Sequence, residues 1–234
     1  MSGLLTIAIP SKGRLMEATF EAFGAAGLPL RRLGSERGYR AMIDGLEGVE
    51  VQLASASEIA SDLARGRIHL GVTGEDLVAE IFPDGDARVQ NLKRLSFGCA
   101  DVIVAVPTSW LDVSVMADIE EIAASFQRTH GRSLRVATKY PRLSRSFFRE
   151  KGVSSYRIVE SLGATEGTPS AGTAEIIVDI TSSGSTLAAN HLKILGDGLI
   201  LKSEACLFAA SEANIDPATA ALRAIVLGKL EAKS

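Results

Sequence analysis

The segment "EIIVDITSSGSTLAAN" (residues 175–190) places one carboxylate ahead of a cluster of small hydroxyl residues. An apolar, strand-like run leads directly into Asp179, and residues 181–186 are all Thr, Ser or Gly. At the carboxyl end of a strand, small residues let the backbone approach a ligand, and hydroxyl and N–H groups can then bind a phosphate. The carboxylate could hold ribose hydroxyls or a magnesium ion bound to them. The same composition also suits an ordinary turn that caps a helix, so the segment alone leaves both interpretations open.

A second segment of this kind, "PSKGRL" (residues 10–15), follows the first predicted strand. Lys12 and Arg14 lie at a predicted helix start, where anions are favoured. The pair could therefore bind phosphate groups. Taken alone, the segment is more typical of a solvated cationic turn.

A third segment, "GVTGEDL" (residues 71–77), places Gly74 and Asp76 between a predicted strand and a predicted helix. Its alternative interpretation is an acidic residue that only stabilises a helix N-terminus. The chain contains no GxxxxGK[ST] and no GxGxxG pattern, and its three histidines are isolated from one another. The sequence therefore predicts neither a Walker loop, nor a dinucleotide fingerprint, nor a histidine metal site.

The elements that must position these segments alternate between strand and helix. Alternation of this kind predicts an α/β protein with a mostly parallel sheet and helices on both faces. The predicted strands are 4–10, 39–43, 49–54, 68–74, 101–107, 134–138, 156–159, 175–180 and 204–211. The predicted helices are 14–26, 57–66 (with Ser57 as its cap), 75–82, 116–129, 143–151 and 218–230.

Two successive strand–helix series predict two α/β lobes. We place lobe one at residues 1–95 plus 185–234, and lobe two, with the 181–186 loop, at residues 96–184. Ligands of such folds bind outside the carboxyl ends of the strands. The sequence therefore predicts an active site in the cleft between the lobes.

Composition limits the class of function. The chain has 234 residues, 46% of them hydrophobic, and a net charge of -3. This length allows a sizeable core, and the lack of a basic excess argues against a nucleic-acid partner. No apolar run approaches ~18 residues, so no membrane span is predicted. Cys99 and Cys206 fit buried thiols in a reducing compartment, and the N-terminus lacks a secretory leader, so we expect a soluble cytoplasmic protein.

Several motifs together resemble a known family. The spacing Asp179-x-x-x-Ser183-Gly184-x-Thr186 resembles the signature with which phosphoribosyltransferases bind phosphoribosyl pyrophosphate (PRPP), although Val178 stands where the type I family has a second acid. With "IPSKGRL", "SERGYRAMI", "GRIHLGVTGEDLVAE", "RVATKYP" and "GTAEIIVDITSSGSTLAANHL", the chain from residue 7 to 192 resembles the short-form ATP phosphoribosyltransferases. The combination is specific, although each motif alone is weak.

The resemblance implies a fold, an activity and a set of site residues. The fold would have two α/β lobes similar to a type II periplasmic binding protein, with the active site in the interlobe cleft. The activity would join N1 of ATP to C1 of PRPP with release of pyrophosphate, the first step of histidine biosynthesis, with Mg²⁺ as cofactor. The implied PRPP-binding residues are Glu166, Asp179, Thr181, Ser182, Ser183, Gly184, Ser185 and Thr186; the catalytic ones are Lys12, Arg14 and Arg37; and the ATP-binding ones are Gly74 and Asp76.

The resemblance also implies partners. Short-form members form homodimers and work in a hetero-oligomer with a regulatory subunit similar to histidyl-tRNA synthetase, whereas long-form members carry a histidine-binding C-terminal domain. We therefore expect histidine inhibition only in the complex. Two alternatives stay open: a two-lobe small-molecule binding protein without catalysis, and a phosphoribosyltransferase with another acceptor base.

Overall fold

The chain folds into two compact units, each with its own sheet. The first unit comprises Met1–Gly98 with Glu204–Ser234, and the second comprises Cys99–Ser203. The computed structural model describes residues 3–34, 38–82, 88–161, 163–211, 213 and 215–232.

The first unit contains a seven-stranded sheet and four helices among its described residues, with elements numbered along the whole chain. Its strands are β1 Leu5–Pro10, β2 Leu30–Arg32, β3 Arg40–Ile43, β4 Val49–Ala54, β5 Leu70–Gly74, β6 Val89–Arg94 and β12 Ala205–Ala210. Its helices are α1 Gly13–Ala25, α2 Ala56–Ala64, α3 Glu75–Ile81 and α7 Pro217–Glu231.

The strand order of this sheet is β2-β3-β4-β1-β5-β12-β6. Only β4, β1 and β5 are mutually parallel, and the flanking strands pair antiparallel. The prediction of a mostly parallel sheet was therefore wrong, because the parallel part is the three-stranded centre of a mixed sheet. The predicted strands 39–43 and 49–54 are confirmed as the antiparallel pair β3 and β4, whereas β2 and β6 were not predicted because they are short or lack a buried apolar run.

Helices cover both faces of the first sheet, as predicted. Leu5, Ile7 and Ile9 of β1 belong to one buried cluster with residues of α1 and α7. Ala8, which points to the opposite face, belongs to a second cluster with residues of α2 and α3. This alternation follows from the two-residue period of a strand, which sends successive side chains to opposite faces.

Local capping explains where two of these helices begin. Ser55, rather than the predicted Ser57, caps α2: its side chain accepts the Glu58 N–H, and the Glu58 carboxylate accepts the Ser55 N–H. Such a capping box satisfies two backbone donors that the helix leaves without partners. Asp216 caps α7, because its carboxylate accepts the Thr219 N–H at 2.8 Å.

The second unit contains a five-stranded sheet of order β11-β7-β10-β8-β9. Its parallel part is again a set of three neighbouring strands, β10, β8 and β9. The strands are β7 Asp101–Pro107, β8 Leu134–Thr138, β9 Tyr156–Glu160, β10 Ile176–Thr181 and β11 Leu192–Leu201. The helices are α4 Met116–His130, α5 Pro141–Glu150 and α6 Ser185–Ala189, with a 3₁₀ turn at Thr165–Gly167.

The second unit extends further along the chain than the sequence predicted. Strand β11, which was not predicted, pairs antiparallel with β7 from Leu192↔Pro107 to Leu201↔Val102. Residues 185–203 therefore belong to the second unit, and the chain returns to the first unit at Glu204 rather than at residue 185. The glycines and the bulged register of β11 obscure the alternation by which a strand is recognised.

The two cysteines differ in environment. Cys206 is buried in the first unit, and burial raises the pKa of its thiol to about 11. Cys99 is exposed, so the prediction of a buried thiol was wrong at that position. Within the described part of the chain, no helix has the length and apolar character that a membrane crossing requires.

An ion-pair cluster stabilises the amino-terminal end of β10. Arg135 donates to the carboxylate of Glu175 at 2.7 Å and Arg132 donates to it at 3.0 Å, and the Arg135 backbone N–H adds a bond of 2.8 Å. Burial opposes ionisation of Glu175, but these donors outweigh it and lower its pKa from 4.5 to about 2. A lowered folded-state pKa contributes stability that is present above the unfolded pKa and is lost as pH falls toward the folded one.

We therefore expect Glu175→Gln to lower the free energy of unfolding at neutral pH by up to about 3 kcal/mol. The deficit should shrink as pH falls from 4.5 toward about 2, because Glu175 of the unfolded wild-type chain binds a proton in this range while the folded chain still holds it ionised. Urea unfolding at pH 7 and at about pH 2.5 measures both quantities. The exposed acid Glu121 of α4 provides a control, and Glu121→Gln should change stability by less than about 0.5 kcal/mol. An equal deficit for Glu175→Gln at both pH values would contradict the account.

Candidate functional site

Three loops of the second unit leave the carboxyl ends of the parallel strands β8, β9 and β10. They begin with Lys139 after β8, with Ser161 after β9 and with Ser182 after β10. In α/β sheets, ligands bind at this edge. The predicted PRPP-binding residues lie on these loops, on the last residues of β10 or, for Ser185 and Thr186, in the first turn of α6.

The loop of residues 181–186 is held by its own hydroxyls. The Gly184 N–H donates to Thr181 Oγ1 at 2.9 Å, and the Ser183 and Ser185 hydroxyls lie 2.9 Å apart. Gly184 has a φ of 73°, a left-handed conformation that glycine adopts without the strain of a Cβ. Ser182, Ser183, Ser185 and Thr186 are exposed. The loop therefore presents a row of hydroxyls to solvent in a fixed turn.

Asp179 lies inside β10 rather than at its end, because the strand continues to Thr181. It pairs with Ile103 of β7, and its carboxylate accepts the Ile180 N–H at 2.8 Å. Burial raises the pKa of Asp179; the Ile180 N–H and the charge of Lys139 act in the opposite direction, and the charge of Glu166 raises the pKa further. Two carboxylates and one lysine thus share an electrostatic environment beside the hydroxyl loop.

Hydrogen bonds between the loop after β9 and the end of β8 fix the position of Glu166 near Asp179. It lies in the 3₁₀ turn, next to Thr165, whose hydroxyl donates to Ser161 Oγ at 3.1 Å. The Ser161 N–H donates to the carbonyl of Thr138, the last residue of β8, at 3.0 Å. The 3₁₀ turn that carries Glu166 packs against β10, so Glu166 and Asp179 lie at the same edge of the sheet.

The fit of a magnesium ion can be judged from these donors. Among the described residues, no group of three or more His, Cys, Asp and Glu side chains is arranged to hold a metal. Magnesium commonly binds through one or two carboxylates together with substrate phosphates. Asp179 and Glu166 fit that second pattern.

In the first unit, the predicted residues also lie where parallel strands end. Lys12 and Arg14 follow β1, and both are exposed. Gly74 ends β5, and Asp76 lies in the first turn of α3. Since β1 and β5 are parallel neighbours, both turns lie at the same edge of the sheet. Arg37 lies outside the described residues.

The Asp76 carboxylate folds back over its own turn. Asp76 is 6% exposed, and a Cβ added to Gly74 would lie 2.2 Å from Asp76 Oδ1. Gly74 therefore leaves space that the carboxylate occupies. The packing of the Asp76 carboxylate against Gly74 gives Asp76 a structural role in the turn. Its role in ATP binding remains a prediction.

Arg32 is a residue of this region that the sequence did not reveal. From β2, its Nη2 donates to the Ser11 carbonyl at 2.5 Å and lies 2.9 Å from Met16 Sδ. These two contacts flank the turn that carries Lys12 and Arg14. The neighbouring Arg31 instead forms an exposed ion pair with Asp44, and no sequence signal separates the two arginines.

We expect Arg32→Met to loosen this turn and to lower the free energy of unfolding by about 1–3 kcal/mol, because the half-buried Ser11 carbonyl loses its donor. Turnover should fall as well. Arg31→Met is the matched control from the same strand, and loss of its exposed ion pair should cost between about 0 and 1 kcal/mol. Urea unfolding and steady-state kinetics of both variants provide the comparison, and equal effects of the two substitutions would contradict the assignment.

A groove of about 730 Å³ also opens on the first unit, where it lies against β3, β4 and α2. Its lining includes Tyr39, Arg40, Glu58 and Arg67. Among the described candidate residues, none lines this groove. The candidate site is therefore defined by the strand ends and not by this groove.

The sequence matches a known family along most of its length. Residues 55–227 match the family model described as ATP phosphoribosyltransferase. An ATP phosphoribosyltransferase of Chelativorans sp. (strain BNC1) is 61% identical over 89% of this chain and 91% of its own length. That of Mesorhizobium japonicum is 56% identical over 95% of this chain and 97% of its own.

Solved structures show where the fold recurs. The ATP phosphoribosyl transferase (HisG:HisZ) complex from Thermotoga maritima matches with a TM-score of 0.74 at 22% identity, over 98% of this chain and 97% of that chain. The substrate-binding protein of an amino acid ABC transporter matches with a TM-score of 0.51 at 10% identity, over 98% of this chain and 92% of that chain. The type II periplasmic-binding-protein fold is thus confirmed, and it serves enzymes and binding proteins alike.

Sequence identity decides between these classes, because the curated relatives share more than half of their residues with this chain and the fold alone does not separate an enzyme from a binder. The chain belongs to the ATP phosphoribosyltransferase family, and it is a phosphoribosyltransferase.

Proposed function

We propose that this chain joins N1 of the adenine of ATP to C1 of PRPP and releases pyrophosphate, as the first step of histidine biosynthesis. The observation that carries the proposal is the position of Asp179 on β10 and of Glu166 on the 3₁₀ turn that packs against β10, both beside the exposed hydroxyl loop of residues 181–186. Two carboxylates suit the hydroxyls of a ribose, and a row of hydroxyls suits a phosphate. PRPP contains both groups.

In this proposal, the loop of residues 181–186 binds the 5-phosphate of PRPP. Thr181, Ser183 and Ser185 supply hydroxyls, and Gly184 allows close approach of the backbone. Asp179 and Glu166 accept hydrogen bonds from the ribose hydroxyls. This arrangement fixes C1 of the sugar, so that the attacking base meets it in one orientation.

The chemical step needs no covalent nucleophile from the protein. The N1 lone pair forms a bond to C1 while the bond from C1 to the pyrophosphate oxygen breaks, and the pyrophosphate leaves with that electron pair. The anomeric configuration inverts through an oxocarbenium-like transition state. Negative charge grows on the pyrophosphate, and the exposed cations Lys12 and Arg14, with Arg37, would offset it.

Asp76 and Gly74 would form the ATP side of the site. Asp179 and Glu166 are the carboxylates that would hold a magnesium ion carried by PRPP, and when bound the ion would screen phosphate charge. These assignments rest on the family resemblance and on the position of the residues at or near the carboxyl ends of parallel strands. We place the reaction in the cytoplasm, where both substrates are made and consumed.

Pyrophosphate release tests the proposal. The purified chain is mixed with PRPP and Mg²⁺, with ATP or with a series of other purine and pyrimidine acceptors. Release that depends on ATP is expected. Release with another base instead of ATP would favour the second kind of phosphoribosyltransferase, and binding of PRPP without release under any condition would favour a binding protein.

We further propose that the chain forms a homodimer and assembles with a regulatory subunit into a hetero-oligomer. The structural relative from Thermotoga maritima was solved as a HisG:HisZ complex, and this supports a partner of that kind. Histidine would then bind the partner and act on turnover through coupling between two sites.

A titration with histidine tests this proposal. Turnover of the 234-residue chain should not respond to histidine, whereas turnover of its complex with a HisZ-type subunit should fall. Size-exclusion chromatography with light scattering reports the assemblies present in each sample. Strong, non-competitive inhibition of the chain in the absence of the subunit would refute the proposal that histidine acts only through the regulatory subunit.

A further inference from the structure

The hydroxyl loop of the second unit contains no cation. Residues 181–186 are Thr, Ser and Gly, and the neighbouring Asp179 and Glu166 are acids. A ligand with several phosphate charges needs compensating positive charge near its phosphates. A cation at the same edge of this sheet would therefore neutralise phosphate charge, which the loop itself cannot do.

Lys139 is at the right place to provide that charge. It follows β8, whose last residue Thr138 is in register with Val178 of the parallel neighbour β10. Lys139 and Asp179 are the residues that follow Thr138 and Val178. Because the two strands run parallel, Lys139 lies next to Asp179. Its charge acts on the Asp179 carboxylate, together with that of Glu166.

The backbone that carries Lys139 is fixed by buried hydrogen bonds. The Tyr140 N–H donates to Thr138 Oγ1 at 2.9 Å, and the Ser144 hydroxyl donates to the Tyr140 carbonyl at 2.7 Å. Thr138, Tyr140 and Ser144 are each 0% exposed. A lysine on so constrained a turn is preorganised, and this reduces the entropy lost when it binds a ligand.

The side chain is held but not enclosed. Lys139 Nζ lies 5.0 Å from the centroid of the Tyr140 ring, and the residue is half-buried. An ammonium on a ring face retains donors that can point elsewhere, because the ring replaces only part of its hydration. Lys139 can thus contact a ligand while it remains next to Asp179.

We infer that Lys139 binds a phosphate oxygen of PRPP and is a substrate-contacting residue of the second unit. The inference rests on the proposed function. Lys139 would contribute the positive charge that a bound phosphate needs and that the hydroxyl loop lacks. It would do so beside Asp179 and Glu166, the carboxylates proposed to bind the ribose. Lys139 is the residue that follows "RVAT", and it was not among the site residues predicted from the sequence.

Isothermal titration calorimetry of Lys139→Met and Lys139→Arg tests the inference. Lys139→Met should weaken PRPP binding about 10- to 100-fold, the effect expected when one hydrogen bond to a charged group is lost. ATP binding should be unchanged, and Lys139→Arg should restore part of the PRPP affinity. Ribose 5-phosphate and inorganic pyrophosphate, titrated separately, identify the end of PRPP involved, because only the ligand that carries the contacted phosphate should lose affinity.

Lys151→Met is the matched control. Lys151 also lies in the second unit, with an aromatic ring at 5.4 Å and the carboxylate of Asp197 at 3.0 Å, but it follows α5 and not a strand end. This substitution removes the same charge and the same kinds of contact. PRPP affinity should stay within about twofold of wild type.

A double-mutant cycle with Asp179→Asn separates direct contact from an indirect effect through the carboxylate. If Lys139 touches a phosphate, Lys139→Met weakens PRPP binding in the Asp179→Asn background too. Loss of the effect in that background, or wild-type affinity of Lys139→Met for PRPP and both fragments, would overturn the inference. Failure of the wild-type chain to bind PRPP would instead count against the proposed function itself.

Discussion

Asp179→Asn is expected to weaken PRPP binding about 10- to 100-fold and to leave ATP binding unchanged, because the carboxylate loses its charge-assisted bonds to the ribose hydroxyls. The substitution should not reduce the stability of the fold. Burial raises the pKa of Asp179, so its ionised form costs stability at neutral pH. A neutral amide of the same shape removes that cost, and the melting temperature should stay equal or rise.

The matched control is Asp197→Asn, which should give the opposite pattern. Asp197 accepts the Met116 N–H at 2.8 Å and pairs with Lys151, so it is a structural carboxylate of the same unit. Its amide variant should melt at a lower temperature and bind PRPP normally. Calorimetric titration and thermal melts measure both variants. If Asp179→Asn lost stability and retained PRPP affinity, Asp179 would be a structural residue and not a ligand.

The second large effect is expected at Arg14. Arg14→Ala should lower the single-turnover rate about 100- to 1000-fold, the range observed when one preorganised donor to a developing negative charge is removed. The melting temperature should hardly change, since Arg14 is exposed and surface substitutions usually alter stability by less than about 0.5 kcal/mol. PRPP binding in the ground state should weaken much less than the rate.

Arg67→Ala serves as the control for the loss of an exposed arginine in the same unit. Arg67 lies between α2 and β5 and forms an ion pair with Asp62 at 3.3 Å. This variant should turn over at the wild-type rate. Normal turnover of Arg14→Ala, together with a large fall in its melting temperature, would show that Arg14 supports the fold and not the reaction.

The long strands and helices of this protein follow from the sequence pattern. Strand β1 is a buried apolar run ended by a proline, and α7 begins with Asp216 and Pro217, a cap and a first-turn residue of known preference. Such signals are local, and the structure confirms them. The hydroxyl loop of residues 181–186 was likewise visible as a run of small residues after a buried strand, although its composition alone also suited a turn that caps a helix.

What the sequence could not predict depends on contacts between distant residues. Strand β11 contains two glycines and a bulge, so its pairing with β7 placed the unit boundary some twenty residues beyond the predicted one. The bond from the Arg32 side chain to the Ser11 carbonyl is a tertiary contact between β2 and the turn after β1, and the register that sets Lys139 beside Asp179 arises from strand pairing. Neither has a signal within its own segment, because the residues that meet are far apart in the chain.

The central claim is the transfer of the phosphoribosyl group to N1 of ATP, and the structure of the product tests it most directly. The chain is incubated with ATP, PRPP and Mg²⁺, and the product is analysed by mass spectrometry and by NMR. The account predicts one phosphoribosyl group on ATP, with a bond between N1 and C1 and an inverted anomeric centre. Attachment at any other atom, retained configuration, or hydrolysis of PRPP without transfer would contradict it.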